Sequence, residues 1–166
     1  MHTERPDTFV MANKEKMRIA VLSDTHGRLD RQIFNIVEES DLILHAGDLD
    51  NLETLQLLGK AGNVVAVCGN MDFGVWSQSL PREEYVEAGD ILIYMLHDMN
   101  GINLDPESAD IQIVVSGHTH RPSAVHKKGV LYLNPGSPSF PRGGNDASMA
   151  LIDINGGHFT YRHIAL

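Results

Sequence analysis

Little in this 166-residue chain could staple it to itself, hold it in a membrane or bind it to nucleic acid. A single cysteine, Cys68, excludes an internal disulfide framework and fits a reducing compartment. No stretch approaches the roughly 20 apolar residues of a membrane span. Basic residues are scarce, 13 against 22 acidic, and the formal net charge of -9 leaves no basic footprint for long nucleic acid. The first sixteen residues mix charges of both signs around no long apolar centre, so they do not read as a signal peptide. We therefore expect a cytoplasmic protein with a flexible extension over residues 1–17 and one domain over 18–166.

What is present is enough for a core. The 42% hydrophobic and 21% charged content is ordinary for a globular domain. A chain of about this length buries roughly 70% of its unfolded surface. Ile19–Leu22, Leu42–Leu44 and Val64–Val67 are short apolar runs, predicted as strands buried on both faces. Between them, Leu29, Ile33, Ile36 and Val37, and then Leu52, Leu55 and Leu58, recur at helical spacing, the second helix ending near Gly59 to Gly62. Strand, helix, strand, helix, strand implies right-handed crossovers and a parallel sheet. The second half is strand-rich. Gly89-Asp90 and Asn155–Gly157 each sit between apolar runs as hairpin turns, Ile111–Val115 and Val130–Leu133 read as further strands, and 135–144 reads as a loop. The expected fold class is α/β, with two packed sheets and helices outside.

The polar residues fall in a telling place. Open α/β sheets present ligands at the carboxyl ends of their strands. Here the strands run out into Ser23-Asp24-Thr25-His26-Gly27, Gly47-Asp48, Gly69-Asn70-Met71-Asp72, His97-Asp98 and Gly117-His118-Thr119-His120. If those ends lie together, Asp24, His26, Asp48, Asn70, His97, His118 and His120 converge. Imidazole and carboxylate together suit borderline first-row cations, and seven ligands are too many for one tetrahedral ion. An Asp-x-His or a lone histidine is a weak sign and Gly-Asp is usually a turn. The ordered set, one element per strand, is the stronger sign.

In that order these motifs resemble the calcineurin-like metallophosphoesterase superfamily. They are most similar to its small, single-domain bacterial and archaeal phosphodiesterases, to which the Vps29 retromer subunit is also related. Ser23–Gly27 and Asn134-Pro135-Gly136-Ser137 are typical of the small group, and the resemblance runs from about Arg18 to the C-terminus. It implies a four-layer αββα sandwich of two mixed sheets with the site at one edge. It also implies two divalent cations, manganese first, with nickel, iron or zinc as alternatives. Asp24, His26 and His120 are then assigned to one ion, Asn70, His97 and His118 to the other, and Asp48 to both. A hydroxide bridging the ions would attack a small phosphodiester in line, with Asp48, Asn70 and His118 acting through the metal centre. A phosphomonoesterase or pyrophosphatase stays open within the enzyme class, and a Vps29-like scaffold is the rival outside it. A homo-oligomer is neither specified nor excluded.

Two positions depart from the family. Met71 follows Gly69-Asn70 where larger relatives carry a histidine that can protonate the leaving group, and a thioether transfers no proton. Asp98 stands where relatives commonly have glycine. Asp72 or Asp98 could supply or position the missing proton, although an ordinary turn residue or one behind the metal ligands is the better reading of both. His45 is expected either behind the site or packed in its strand, His126, His158 and His163 on the surface, Cys68 in the core, and Arg28 in solvent. Phe73 and Trp76 either wall the pocket or pack. The segment from His97 to Ile111 is short for the helix that many relatives place there.

Overall fold

Two patterns of apolar residue sort this chain into two sheets. Strands that bury both faces carry unbroken apolar runs, and edge strands alternate. The computed structural model describes residues 8–10 and 14–166. The strands are β1 (Thr8–Val10), β2 (Lys16–Leu22), β3 (Leu42–His45), β4 (Val64–Ala66), β5 (Glu83–Ala88), β6 (Ile91–Leu96), β7 (Ile113–Val115), β8 (Ser123–Lys127), β9 (Val130–Asn134), β10 (Ser148–Asn155) and β11 (His158–Ala165). The helices are α1 (Arg31–Glu38) and α2 (Leu52–Ala61). One sheet has the order β11-β10-β2-β3-β4, the other β1-β5-β6-β7-β9-β8. Both are mixed: β2, β3 and β4 pair in parallel, as do β6, β7 and β9, while the hairpins pair antiparallel.

Each strand feeds two layers because successive side chains point to opposite faces. Met17, Ile19 and Val21 of β2 and Leu42 and Leu44 of β3 meet Ile91, Ile93 and Met95 of β6 between the sheets. The alternate residues Ala20, Leu22 and Ile43 face outward and bury Ile33 and Val37 of α1 and Leu58 of α2. Asp30 caps α1 by accepting from Ile33 N at 3.0 Å, and Asn51 caps α2 by accepting from Thr54 N at 2.9 Å. Burial of each such Leu or Ile contributes roughly 1.5–3 kcal/mol. No helix among the described residues is long and apolar enough to cross a membrane.

The outer face of the second sheet is covered differently. Leu92, Tyr94 and Val114 pack under Met99, Ile102 and Leu104, which lie on a 3-10 turn over Met99–Gly101 and an irregular segment. Gly101 and Pro106 interrupt this stretch, and neither favours a helix interior. The αββα plan holds, with its fourth layer thinned to a turn.

Some elements were not expected. β8 escapes sequence reading because four of its five residues are exposed or polar; it is set by the two-residue turn Lys128-Gly129, both at positive φ, which suits a tight hairpin. β2 begins at Lys16, ahead of the expected Arg18, and Met17 is buried. Thr8–Val10 pairs parallel with β5. The rest of the expected extension, residues 1–7 and 11–13, lies outside the described residues.

Candidate metal centre

The carboxyl ends of β2, β3, β4, β6 and β7 lie side by side, and their loops are laced together by backbone bonds. Asp24 N donates to Gly47 O at 2.9 Å, His26 N to Asp48 O at 3.0 Å, and Gly117 N to His97 O at 2.9 Å. Asp24, His26, Asp48 and His120 place one ligand atom each within 4.8 Å of one another. Asn70 Oδ1 lies 2.9 Å from His97 Nε2 and 3.1 Å from His118 Nδ1, and His97 Nε2 is 3.3 Å from Asp48 Oδ2. All seven residues singled out in the sequence therefore meet in one patch, with Asp48 next to both halves.

How the side chains converge differs from the expected strand alternation. Asp24, His26, Asp48, Asp50, His118 and His120 all have positive φ, between 46° and 73°. They are six of the eight non-glycine residues in that region among those described. Each sits past a strand end in a left-handed turn, which costs roughly 1–3 kcal/mol per residue. Asp and His tolerate this conformation better than most residues. Close packing fixes the turns, since a Cβ on Gly69 would collide with Asp48 Oδ1, and one on Gly117 with Ser23 Oγ and Asp24 Oδ2.

Three imidazoles have their tautomers set from behind. His97 Nδ1 lies 2.7 Å from Ala46 O and His120 Nδ1 lies 2.6 Å from Phe140 O. A carbonyl oxygen only accepts, so each Nδ1 carries the proton and donates it. His26 Nδ1 donates likewise to the Asp50 carboxylate, at 3.0 Å to Oδ1. All three Nε2 atoms then turn toward Asp24 Oδ1, at 3.9 Å for His26, 3.9 Å for His97 and 3.3 Å for His120. Such backing is how a protein orients metal-ligating histidines. Asp24 Oδ1 is the single buried side-chain polar atom without a hydrogen-bond partner among the described residues. His26 Nε2 and His120 Nε2 also face each other at 3.2 Å, an arrangement that two lone pairs oppose unless a cation lies nearby. The donor set fits a divalent cation.

The electrostatics agree. Burial pushes the Asp24 carboxyl up, against the Ser23 hydrogen bond and the His97 and His120 charges. Burial also opposes charge on Asp48, but the His97 bond and the Met71 N–H outweigh it and hold Asp48 down. For His97, burial is outweighed by the hydrogen bond and charge of Asp48 and the charge of Asp24, so its pKa rises. Without a cation, the carboxylates draw a proton to His97 instead.

Other residues fall differently from expectation. Asp72 is buried, and its carboxylate accepts Asp48 N at 2.9 Å, Gly69 N at 2.8 Å and Asp50 N at 2.8 Å. Those bonds clamp the β3 and β4 loops, in keeping with the reading of Asp72 as a residue behind the ligands. Asp50, not singled out in the sequence, orients His26; its signal was a second carboxylate two places after Asp48. Cys68 is half-buried at the cleft wall, not in the core, and burial pushes its thiol up. Phe73 is exposed at the cleft, whereas Trp76 packs against the helix-side core. Arg28 stacks on Phe140, 5.0 Å from the ring centre. His163 is half-buried and donates to Asn134 O at 2.7 Å, while His126 and His158 are exposed.

His45 lies beneath the site, fully buried, with Nε2 2.9 Å from Thr25 Oγ1 and Nδ1 accepting from Gly47 N at 3.2 Å. Burial, with the His97 charge, pushes its pKa down to about 3. The unfolded chain binds this proton near pH 6.5 and the folded one does not, so stability is full above that value and falls as pH drops toward 3. Between pH 7 and pH 5 the loss is about 2 kcal/mol. Urea midpoints of chelated protein should therefore fall less for His45→Gln than for wild type over that interval; equal losses would exonerate His45.

With this geometry established, comparison with known proteins identifies its kind. Residues 17–157 match the calcineurin-like phosphoesterase superfamily domain. The chain belongs to this superfamily. It is 37% identical to the probable metallophosphoesterase MJ0623 of Methanocaldococcus jannaschii, over 76% of this chain and 70% of that one. It is 33% identical to the phosphodiesterase YfcE of Escherichia coli, over 56% of this chain and 54% of that one. In structure, YfcE superposes with a TM-score of 0.69 at 23% identity, covering 90% of this chain and 99% of YfcE. Vps29 of Entamoeba histolytica, in a crystal structure with zinc, superposes at 0.71 with 22% identity, covering 90% and 99%. At those identities the superpositions carry the fold alone. The superfamily's metal-dependent phosphoesterase chemistry and the buried His/Asp cluster coincide in this chain.

Proposed function

We propose that this protein is a phosphodiesterase for small substrates that works with two divalent cations, manganese the favoured pair. The observation that carries the reading is the ring of three histidine Nε2 atoms within 3.9 Å of the unpartnered Asp24 Oδ1. Asp24, His26 and His120 would hold one cation, Asn70, His97 and His118 the other, and Asp48 both. Bound there, two cations supply Lewis acidity and an activated water for in-line displacement at phosphorus. The chain's own residues fix the geometry. Asp50, Ala46 O and Phe140 O orient the imidazoles, Asp72 clamps the loops bearing Asp48 and Asn70, and Asn70 on the rim would donate its amide to a phosphoryl oxygen. The preference for a diester rests on the likeness to YfcE, and the acidic chain favours small molecules over DNA or RNA.

Elemental analysis, with turnover of bis-p-nitrophenyl phosphate, p-nitrophenyl phosphate and pyrophosphate in manganese, nickel, zinc and EDTA, tests this. We expect metal-dependent turnover with the first substrate preferred. Preference for either of the others would move the reading to a monoesterase or pyrophosphatase. No metal and no turnover would leave a Vps29-like scaffold. The strained turns argue against a scaffold, which gains nothing from holding six residues in left-handed conformations around a ligand set.

The leaving group gives a separate expectation. Met71 is exposed beside the site and donates only its backbone N–H, to Asp48 Oδ1 at 2.8 Å. Without a general acid, aryl diesters should outpace alkyl diesters by on the order of the 10²–10⁴ that acid catalysis supplies. A series of graded leaving-group pKa measures this, and a flat dependence would mean that another group delivers the proton.

A further inference from the structure

A cleft of about 680 Å³ opens beside Asn70, His97 and His118, and one guanidinium lines it, that of Arg82. The acidic groups of the same wall are each engaged. Asp72 holds three backbone N–H groups, Glu83 accepts the Tyr94 hydroxyl, and Asp98 Oδ1 accepts Asn100 N at 3.0 Å. The second Asp98 oxygen faces His118 Nε2 at 3.7 Å. Arg82 is different. No hydrogen bond or ion pair with a described residue occupies its guanidinium. Its backbone is nonetheless fixed, because Pro81 O accepts Cys68 N at 2.7 Å just past β4 and β5 begins at Glu83. Phe73, 66% exposed, lines the same cleft from the loop after Asn70.

A guanidinium fork matches carboxylate and phosphate oxygens, and an exposed aromatic ring offers a stacking face. We propose that Arg82 and Phe73 form a specificity subsite selecting phosphodiesters that carry a second anionic group, a carboxylate or phosphate, on an aryl or heteroaryl arm. This deepens the phosphodiesterase reading and rests on it. Arg82 touches the arm of the substrate, not the phosphorus. It sorts substrates by charge where the cations alone would draw any anion.

The test compares kcat/KM for 4-carboxyphenyl p-nitrophenyl phosphate, bis-p-nitrophenyl phosphate and p-nitrophenyl phosphorylcholine, with manganese present. In wild type the carboxylated diester should be preferred over the uncharged-arm diester by roughly tenfold, the worth of a charge-assisted contact, and the choline ester disfavoured. In Arg82→Ala both ratios should collapse toward one, chiefly through KM, and Arg82→Lys should restore part of the preference. Ratios that persist in Arg82→Ala, or substrates that all lose rate in proportion, would overturn the subsite. If no diester turns over at all, the phosphodiesterase reading fails separately. Calorimetric titration of manganese-loaded protein with the carboxylated diester then decides the Arg82 assignment: weaker binding to Arg82→Ala sustains it, and equal affinity overturns it. The side chain is exposed, so its replacement disturbs no core.

Discussion

Asp48→Asn is expected to lower metal-dependent diester turnover by about 10³-fold or more while leaving the fold intact. Asp48 Oδ1 accepts Met71 N at 2.8 Å and Oδ2 lies 3.3 Å from His97 Nε2 and 3.8 Å from His26 Nε2. An asparagine keeps the first contact through its amide oxygen. Its NH₂ then replaces Oδ2, so a positive edge points where a shared cation needs a negative one. Losing the position common to both halves of the site should remove both cations, not one. The Lewis-acid and activated-water terms, worth several kcal/mol together, go with them, and each 1.36 kcal/mol is tenfold in rate. Elemental analysis should show metal content falling in parallel with rate. A variant that retains two metals and full activity would show that Asp48 is not the shared ligand.

The route to that residue shows what a sequence carries and what it does not. Periodicity and glycine placement were enough for β2 to β7, both helices and the hairpins around Gly89-Asp90 and Asn155–Gly157, because those elements bury apolar faces. β8 was illegible, since an edge strand of mostly exposed residues leaves no pattern and the Lys128-Gly129 turn defines it. The seven clustered residues were legible as polar groups at the ends of five apolar strands. Their backing was not. Ala46 O and Phe140 O are main-chain atoms, which any residue could supply, yet they decide the tautomers of His97 and His120. The place of Asp72 after Asn70 left an acid and a residue behind the ligands both open, and the three backbone donors on its oxygens make it a clamp. Arg82 is distant from every motif and enters the cleft because β5 starts beside the end of β4.

The unpartnered oxygen of Asp24 sets up an opposition between stability and metal binding that can be measured without turnover. Asp24 Oδ2 accepts Ser23 Oγ at 2.7 Å and His118 N at 2.9 Å, so the buried group is held by one oxygen and exposed to imidazole lone pairs through the other. Burial raises its pKa in the folded state. A carboxyl so raised favours folding at acid pH, and that contribution is lost as pH rises through the folded value, so at neutral pH the metal-free protein bears the cost. In Asp24→Asn, the amide oxygen can keep both Oδ2 contacts while its NH₂ donates to His120 Nε2, whose own proton lies on the far nitrogen. Metal-free Asp24→Asn should therefore be more stable than metal-free wild type at pH 7, by about 1–3 kcal/mol, the cost of an unsatisfied buried polar group. Manganese at roughly a thousand times its Kd should reverse the order, stabilising wild type by about 4 kcal/mol and the variant far less. Urea unfolding of both proteins, with chelator and with metal, reads all four values. If the chelated proteins are equally stable and manganese shifts neither, Asp24 is a structural carboxylate; crossing stabilities would mean that the site is folded at a cost which only a bound cation removes.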